Sequence, residues 1–281
     1  MVMEYMKESN SEDDIMQSLK PKLNISLASV FYNPTLEDVK QTLSNIECLN
    51  DMKNFNFEFY LIDNASPNQN LFSLLPKNLG NNIHYKLLKI NHGFGSGHNS
   101  ILNELNSDFH IIMNPDIEIK DLVGLDKAID FMRKHKEVSL LSPMVRNKSN
   151  NKIQFLNRKE PTVFDLFIRF MGPNFFPKRQ AMFEKKSGGY DHIQIDENAT
   201  GSFMLIRTNR LKQVHGFDTK FFMYFEDTDL TKRLSTRGKV IFFPYFEVIH
   251  GWKRDNHTLK GIIPMLKSMI IYFNKWGWKF Y

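Results

Sequence analysis

The chain has 281 residues, 42% of them apolar, and a formal net charge of +6 at pH 7. This length suits one large domain or two small ones, and the apolar fraction is ample for a core. The single cysteine, Cys48, excludes a disulfide framework and a cysteine-based zinc site, and it is typical of a reducing compartment. Residues 1–20 lack a signal-peptide pattern, and no apolar run is long enough to span a membrane. We therefore expect a cytoplasmic protein with a polar leader over residues 1–22.

Strands and helices alternate in the first half of the chain. Buried strands are predicted over 24–30, 57–62, 83–90, 109–113 and 138–141. Helices are predicted after Thr35 and over 101–105 and 122–136. The alternation predicts an α/β fold, with a Rossmann-like, mostly parallel sheet covered by helices on both faces. Such sheets bind ligands at the carboxyl ends of their strands. The polar loops at Asp63, 91–99 and Asp116 fall there.

The regular alternation ends after Pro143. Residues 144–198 read as irregular, apart from a helix predicted over 162–171, where apolar residues recur at helical spacing. Its phenylalanines either pack on the core or form an apolar surface for an acceptor or a membrane. The remaining predicted elements are strands over 200–206, 239–243 and 246–249, and a short helix over 211–214.

Residues 221–234 join an aromatic run to an acidic helix start, with three carboxylates within four positions. On the simpler interpretation the helix dipole favours these charges, and Asp227 or Thr228 caps the helix. On the alternative, apolar walls partly desolvate a carboxylate and make it a usable general base. These residues alone favour the simpler interpretation.

Three other segments have polar chemistry at the ends of predicted strands. Residues 91–99 contain Gly93, Gly95 and Gly97, a spacing that fits neither a P-loop nor the dinucleotide fingerprint. Their amides could approach a diphosphate, but a tight structural turn explains them equally well. Asp116 and His250 each follow a buried strand, where each is either a metal ligand or an ordinary structural residue.

The combination of these segments resembles a known family. The matching segments, in chain order, are 61–66, 91–99, 114–116, 201–204, 216–218 and 221–233. Over roughly residues 24–252 the chain resembles an inverting family 2 glycosyltransferase with the GT-A fold, most closely the bacterial rhamnosyltransferase branch. The resemblance implies a glycosyltransferase domain over 23–252, which consists of a nucleotide-sugar half (23–143) and an acceptor half (144–252). A basic aromatic tail over 253–281 follows this domain.

The resemblance also implies the site residues. Asp227 matches the catalytic base, with Glu226 beside it. Asp116 matches the last residue of the Asp-x-Asp motif and, with His250, would bind a divalent cation, Mn²⁺ or Mg²⁺. Asp63 matches the residue that bonds the pyrimidine base of the donor. The other implied donor-binding residues are Asn64, Asn91, Gly93, Phe94, Gly95, Asn99, Asn114, Gly201 and Arg233, the last near the diphosphate.

Two positions depart from the family pattern. Asn114 stands at the first position of Asp-x-Asp, as is usual in the rhamnosyltransferase branch, and leaves one fewer anionic ligand. Asn68 stands where relatives often have a second acid.

We expect a metal-dependent inverting transferase that moves L-rhamnose from dTDP-L-rhamnose to a cell-surface polysaccharide or a lipid-linked oligosaccharide. A UDP-hexose or UDP-N-acetylhexosamine donor is the alternative. A nucleotidyltransferase is disfavoured because residues 27–36 contain no Lys, Arg or Gly. A nucleic-acid-binding module is disfavoured because the bases concentrate at one end and no binding motif is present. A sugar-binding protein without catalysis is disfavoured by the presence of Asp116, Asp227 and His250 together.

The tail over 261–281 mixes apolar residues with lysines and two tryptophans. This composition suits either a peripheral contact with the inner face of a membrane or a helix packed on the core. The sequence predicts no oligomeric state.

Overall fold

The computed structural model describes residues 22–68, 70–172, 174–251 and 259–281. The leader predicted over 1–22 therefore lies outside the described residues, apart from Lys22. Trp252, at the end of the matched region, lies outside them as well.

A single sheet organises the described chain. Its strands are β1 (Leu23–Phe31), β2 (Phe55–Asp63), β3 (Ile83–Leu87), β4 (Phe109–Met113), β5 (Ile117–Glu118), β6 (Val138–Asn147), β7 (Gln194–Ile195), β8 (Phe203–Arg207) and β9 (Lys239–His250). The order is β3-β2-β1-β4-β8-β6-β9-β5, and β7 also pairs with β9. The first four strands are parallel, as are β6 and β9, whereas β8 is antiparallel to both of its neighbours. The prediction of an α/β fold with a mostly parallel sheet is confirmed.

Eight α-helices accompany the sheet in the described residues: α1 (Leu36–Asn50), α2 (Phe94–Asn99), α3 (Leu122–Lys134), α4 (Val163–Phe170), α5 (Pro177–Phe183), α6 (Thr208–Gln213), α7 (Glu226–Ser235) and α8 (Leu259–Trp276). Two short 3-10 helices cover Leu71–Leu74 and Lys186–Gly188. Thr35 begins α1 with a capping box completed by Asp38, and Thr162 begins α4 with the same device through Asp165.

Several predicted boundaries were wrong for local reasons. The helix expected over 101–105 is α2, which begins directly after Gly93 and ends before residue 101. The two strands expected over 239–249 are one strand, β9, whose pairing with β6 shifts register opposite Pro143 and Met144. Neither Asp227 nor Thr228 caps α7, because the N-cap residue is Phe225.

The core lies on both faces of the sheet because successive residues of β1 point to opposite sides. Leu27 belongs to a buried cluster with Leu125 of α3, and Ala28 belongs to a second cluster with Leu230 of α7. The sheet also joins the two predicted halves, since β6 crosses residue 143. The proposed division of the domain stays a prediction.

The C-terminal segment packs on the core along one face only. Tyr272 and Phe273 of α8 are buried against Phe221, which precedes the acidic helix α7. On the other face of α8, Ile263 and Ile270 are exposed. The core-packed alternative is therefore observed for part of the tail. Among the described residues, no helix has the length and apolar character needed to cross a bilayer.

Candidate active site

Asp63 ends β2 and organises the loop that follows it. Its carboxylate is fully buried and accepts hydrogen bonds from the backbone amides of Ser66 (2.9 Å) and Leu71 (2.6 Å). Phe31 pairs with Asp63 across the parallel strands β1 and β2, so the loop lies at the carboxyl edge of the sheet. Both carboxylate oxygens are engaged within the chain, and contact of Asp63 with a pyrimidine base stays a prediction.

Asn64 and Asn91 join two neighbouring loops at the same edge. The Nδ2 atom of Asn64 donates to Oδ1 of Asn91 (3.0 Å) and to the carbonyl oxygen of Gly93 (3.1 Å). Oδ1 of Asn91 also accepts from the amide of Gly93 (2.8 Å). Oδ1 of Asn64 is buried with no hydrogen-bond partner in the described part of the chain. A buried acceptor without a partner is costly, and a donor group on a ligand would satisfy this one.

The glycines of the predicted loop permit close packing of α2. A Cβ on Gly95 would lie 2.6 Å from Cβ of Phe217, and one on Gly97 would lie 2.7 Å from Cγ1 of Val30. Gly93 has φ 99°, and a Cβ there would lie 2.0 Å from the carbonyl oxygen of Phe222. The structural-turn interpretation accounts for these contacts, and approach of the loop to a diphosphate stays a prediction.

Phe94 and Asn99 hold the segment before the acidic helix against α2. The amide of Phe94 donates to the carbonyl oxygen of Phe222 (3.0 Å). The side-chain amide of Asn99 donates to the carbonyl oxygen of Phe217 and accepts from its amide, both at 2.8 Å. These contacts fix the approach of the acidic helix, and the donor contacts implied for Phe94 and Asn99 stay predictions.

Asp116 and His250 face each other beside β5. His250 pairs with Ile117 across β9 and β5, and its Nε2 lies 3.4 Å from Oδ1 of Asp116. Nδ1 of His250 lies 3.1 Å from Oε1 of Gln154, and Nε2 of Gln154 donates to the carbonyl oxygen of His250 (3.4 Å). Because Oε1 of Gln154 can only accept, Nδ1 of His250 donates to it and Nε2 faces Asp116, the orientation that histidines binding metals have.

A divalent cation fits this pair if substrate oxygens and water supply the remaining ligands. Asp116 offers a carboxylate and His250 an imidazole, which are ligands that manganese accepts. The described residues contain no group of three or more His, Cys, Asp or Glu side chains placed to hold a metal. Such a site would therefore be open, as sites that bind substrate phosphates through magnesium usually are.

The backbone directly before α7 is strained, at the point where the acidic first turn of the helix begins. Tyr224 and Phe225 both adopt left-handed conformations, with φ of 69° and 66°. Non-glycine residues rarely adopt this conformation, and it concentrates at functional sites. The strain occurs directly before Glu226 and Asp227.

Glu226 and Asp227 have different surroundings although they are adjacent. The carboxylate of Asp227 accepts hydrogen bonds from the amides of Gly201 (2.9 Å, to Oδ2) and Thr228 (2.8 Å, to Oδ1). Desolvation raises the pKa of Asp227, while these amides and the charge of Arg158 oppose the increase. Desolvation and the charge of Asp227 raise the pKa of Glu226 well above its ordinary value. Oε2 of Glu226 is buried without a partner among the described residues.

Gly201 and Ser202, at the head of β8, connect the two acidic parts of the site. Gly201 bonds Asp227 through its amide, and the carbonyl oxygen of Ser202 accepts from the amide of Asn114 (2.9 Å). Asn114 lies two residues before Asp116. The acidic helix start and the turn after β4 are therefore held on either side of the same two-residue segment. Donor contacts of Gly201 and Asn114 stay predictions.

Arg233 forms its described contacts within the protein. Its Nε donates to Oδ2 of the buried Asp229 (2.7 Å), and its Nη1 donates to the carbonyl oxygens of Val214 (2.8 Å) and Gly216 (2.6 Å). Nη2 is buried without a partner among the described residues. The side chain therefore braces α7 against the turn that follows α6, and its proximity to a diphosphate stays a prediction.

Comparison with known proteins identifies the family. The family model described as Glycosyl transferase family 2 matches residues 30–227, which is more than half of the chain. The chain belongs to glycosyltransferase family 2. This confirms the resemblance inferred from the six sequence segments.

Curated proteins similar to this chain include rhamnosyltransferases. The chain is 32% identical over 178 residues to rhamnosyltransferase WbbL of Escherichia coli, covering 59% of this chain and 64% of that protein. It is 26% identical over 151 residues to an N-acetylglucosaminyl-diphospho-decaprenol L-rhamnosyltransferase of Mycobacterium tuberculosis, covering 51% of this chain and 47% of the relative. The chain thus spans less than two thirds of the length of these curated relatives.

Solved glycosyltransferase structures share the fold. A mannosyltransferase of Pyrobaculum calidifontis, solved with GDP-Man and Mn²⁺, has a TM-score of 0.60 at 14% identity, with 92% of this chain and 68% of that chain covered. GalNAc-T7, solved with UDP, GalNAc and Mn²⁺, has a TM-score of 0.61 at 15% identity, with 91% and 48% covered. The expected GT-A fold is confirmed.

Sequence reasoning missed two side chains of this family 2 site. Gln154 orients His250, and Arg158 lies close enough to Asp227 to affect its pKa. Both belong to the segment over 144–198 that the sequence predicts as irregular. No periodicity marks either residue, because their neighbours are distant in the chain.

Proposed function

We propose that the protein is an inverting, metal-dependent glycosyltransferase in which Asp227 is the catalytic base. The main support is the link through Gly201 and Ser202, which holds Asp227 and the turn containing Asp116 against one segment. A nucleotide-diphosphate sugar bound at the carboxyl edge would have a cation on one side and a base on the other. This is the arrangement that a single displacement requires.

Asp227 would perform the proton transfer. Its carboxylate takes the proton of the acceptor hydroxyl as that oxygen attacks the anomeric carbon. The bond between this carbon and the donor phosphate oxygen breaks, and the nucleoside diphosphate leaves. One displacement inverts the configuration and needs no enzyme nucleophile. The two amides that bond Asp227 hold its oxygens in position for the transfer.

Asp116 and His250 would hold the cation, with Gln154 orienting the imidazole. A divalent cation neutralises the charge that develops on the departing diphosphate. Two structural neighbours were solved with Mn²⁺, which supports a divalent cation here.

L-rhamnose from dTDP-L-rhamnose is the proposed transfer, because two curated relatives have rhamnosyltransferase names. The proposed acceptor is a lipid-linked saccharide, supported by the diphospho-decaprenol acceptor in the name of the mycobacterial relative. A UDP-sugar donor is the alternative, since neighbours of the same fold were solved with UDP.

A thermal-shift panel tests the donor and the cation together. The protein is heated with dTDP-rhamnose or UDP-sugars, each with Mn²⁺, Mg²⁺ or EDTA, because a ligand that binds only the folded state raises its stability. We expect a metal-dependent shift with dTDP-rhamnose that Asp116→Ala abolishes. A shift with UDP-sugars alone would overturn the rhamnose donor, and no shift with any sugar nucleotide would overturn the proposed function. An equal shift in EDTA would overturn the role of the cation.

We also propose that the protein contacts a membrane through an exposed aromatic face. This face consists of Phe167, Phe170, Phe176, Phe280 and Tyr281, all exposed. Two of its members are linked through Phe164, whose ring contacts those of Phe176 (5.5 Å between centroids) and Tyr281 (5.2 Å). Lys178 and Lys267 are exposed on the adjoining helices α5 and α8. Exposed aromatic rings with nearby lysines suit an anionic bilayer surface.

Sedimentation with vesicles of phosphatidylglycerol and phosphatidylcholine tests this contact. Removing the tail would also remove buried core residues, so point variants are the cleaner test. The Phe167→Ser, Phe170→Ser double variant should lose binding, whereas Phe72→Ser, which changes an exposed phenylalanine elsewhere, should retain it. Equal binding by both variants would refute the aromatic face.

A further inference from the structure

The segment over 154–160 runs between the predicted cation site and the acidic helix. At its start, Gln154 bonds His250. At its end, Glu160 forms an ion pair with Lys232 of α7. Arg158 lies between these two anchors, and the sequence predicts no role of its own for this residue.

Backbone contacts fix the position of Arg158 against α5. The amide of Lys159 donates to the carbonyl oxygen of Phe183 (2.9 Å). The hydroxyl of Tyr190 lies 2.9 Å from the carbonyl oxygens of both Asn157 and Glu184. Residues on both sides of Arg158 are therefore anchored to the end of α5.

The guanidinium of Arg158 forms no ion pair with a carboxylate among the described residues, although the charges of Glu184 and Asp227 are close enough to raise its pKa. Its one described hydrogen bond runs from Nε to the carbonyl oxygen of Phe155 (3.1 Å), which leaves both terminal nitrogens without an acceptor there. The neighbouring arginines do form ion pairs: Arg169 pairs with Glu184 (2.9 Å) and Arg179 pairs with Asp165 (2.6 Å). Burial and the charge of Arg169 lower the pKa of Arg158 to about 10. A partly desolvated cation without a directly bonded anion is costly, and a bound anion would offset that cost.

We propose that Arg158 binds a phosphate of the acceptor and so forms a diphosphate subsite on the acceptor side of Asp227. The planar guanidinium presents two terminal nitrogens to phosphate oxygens, a geometry that a lysine cannot reproduce. The identity of the ligand, a lipid-linked diphosphate, rests on the proposed function; the binding of a phosphate by Arg158 does not. A nucleoside diphosphate has the same chemistry and is the competing source of the phosphate.

The surroundings of Arg158 favour the acceptor as that source. Its segment contacts the end of α5, and α5 is joined to α4 by the ion pair of Arg179 with Asp165. These two helices and the N-cap residue of α5 present Phe167, Phe170 and Phe176 of the aromatic face to solvent. A lipid chain held on that face would bring its diphosphate to Arg158 and its sugar to Asp227. The diphosphate of the donor is instead expected at the cation held by Asp116 and His250.

Equilibrium binding of farnesyl diphosphate and of farnesol tests the subsite without requiring turnover. We expect the wild-type protein to prefer the diphosphate and Arg158→Gln to weaken its binding roughly 10- to 100-fold, the effect of losing charge-assisted hydrogen bonds. Binding of farnesol should not change. Arg158→Lys keeps the charge but lacks the planar guanidinium, so its affinity for farnesyl diphosphate should lie between those of the wild type and Arg158→Gln. Arg237→Gln, at an exposed arginine after α7, is the matched control and should bind as the wild type does.

A second titration separates the two sources of phosphate. Binding of dTDP and of UDP in the presence of Mn²⁺ should be the same in Arg158→Gln and in the wild type. Weaker nucleotide binding with unchanged farnesyl diphosphate binding would assign Arg158 to the donor and overturn the proposal. Unchanged farnesyl diphosphate binding in a folded Arg158→Gln protein would overturn it as well. Failure of the sugar-nucleotide panel would overturn glycosyl transfer alone, because the farnesyl diphosphate measurement needs no donor.

Discussion

Two adjacent carboxylates begin α7, and their surroundings give them different chemistry. Asp227 has an amide donor for each oxygen, whereas Glu226 has a buried oxygen without a partner among the described residues. Hydrogen bonds to the charged form offset part of the cost of desolvation. Asp227 is therefore the better candidate for an ionised base, and Glu226 favours its protonated form. Their order in the sequence does not reveal this difference, which depends on the amides that reach each side chain.

Replacing Asp227 by Asn removes the proton acceptor and keeps the size of the side chain. We expect turnover to fall by about 10²- to 10⁴-fold, the usual contribution of general base catalysis. Donor affinity, measured by titration, should stay close to that of the wild type because the proposed role of Asp227 is toward the acceptor hydroxyl. Near-normal turnover in this variant would exclude Asp227 as the base.

The raised pKa of Glu226 predicts a pH-dependent effect on stability. A carboxyl whose pKa is higher in the folded state than in the unfolded chain contributes stability below its unfolded pKa, which is near 4.5. That contribution is lost as the pH rises through the folded pKa. Glu226→Gln removes the titration. The melting temperature of this variant minus that of the wild type should therefore increase as the pH rises from below 4.5 toward neutrality. A constant difference across this range would contradict the prediction. Glu47→Gln, on the exposed side of α1, is the matched control.

At the scale of elements, two loops dock to form the site. The loop over 91–94 and the aromatic run before α7 meet where the carbonyl oxygen of Phe222 accepts from the amide of Phe94. Gly93 permits this approach because it has no Cβ. The glycine therefore positions α7, and with it Asp227, from the opposite side of the site.

Substitution of Gly93 by Ala should disturb this docking. The added Cβ would lie 2.0 Å from a backbone oxygen of Phe222 at a φ of 99°, so one of the two loops must move. A shift of about 1 Å at a catalytic group costs on the order of 10²-fold in rate, and we expect a loss of that size in turnover.

Gly172→Ala provides the control for Gly93→Ala. Gly172 also has a positive φ, 111°, but a Cβ there would meet nothing within 4 Å. This variant should lose stability through backbone strain of about 1–2 kcal/mol and keep its turnover. Equal losses of turnover in both variants would show that conformational strain, rather than the clash with Phe222, impairs the enzyme.

At the scale of the whole molecule, α8 completes the core beside the active site. The buried Asp229 of α7 accepts from Nε1 of Trp276 (2.9 Å) and lies 2.7 Å from Nζ of Lys275. Phe273 is fully buried in a cluster with Phe221. The C-terminal helix therefore braces both the aromatic run and the helix that holds Asp227, the proposed catalytic base.

Truncation of Phe273 should destabilise the fold much more than truncation of an exposed neighbour. Phe273→Ala removes a fully buried ring and should lower the free energy of unfolding by about 3–5 kcal/mol. Ile270→Ala, at a position 46% exposed on the same helix, should change it by no more than about 0.5 kcal/mol. Denaturant titrations of the two variants provide the comparison, and equal losses would mean that α8 contributes little to the core.

The sequence by itself determined the α/β class, the order of the main elements and the family. These features depend on local patterns: buried strands read as apolar runs, capping residues begin α1 and α4, and the six family segments are each continuous in the chain. The acidic helix start and the pair Asp116 and His250 were identified for the same reason. The sequence also predicted polar loops at the carboxyl edge of the sheet, because parallel strands place their ends together.

Only the tertiary structure decided which side chains meet. Gln154 reaches His250 across 96 positions, and the neighbours of Arg158 come from three different segments. The structure also assigned internal partners to Arg233 and Asn99, and buried one face of α8 while leaving the other exposed. Contacts between distant segments have no period in the sequence, since they depend on how the elements pack and on which polar groups that packing leaves without a partner.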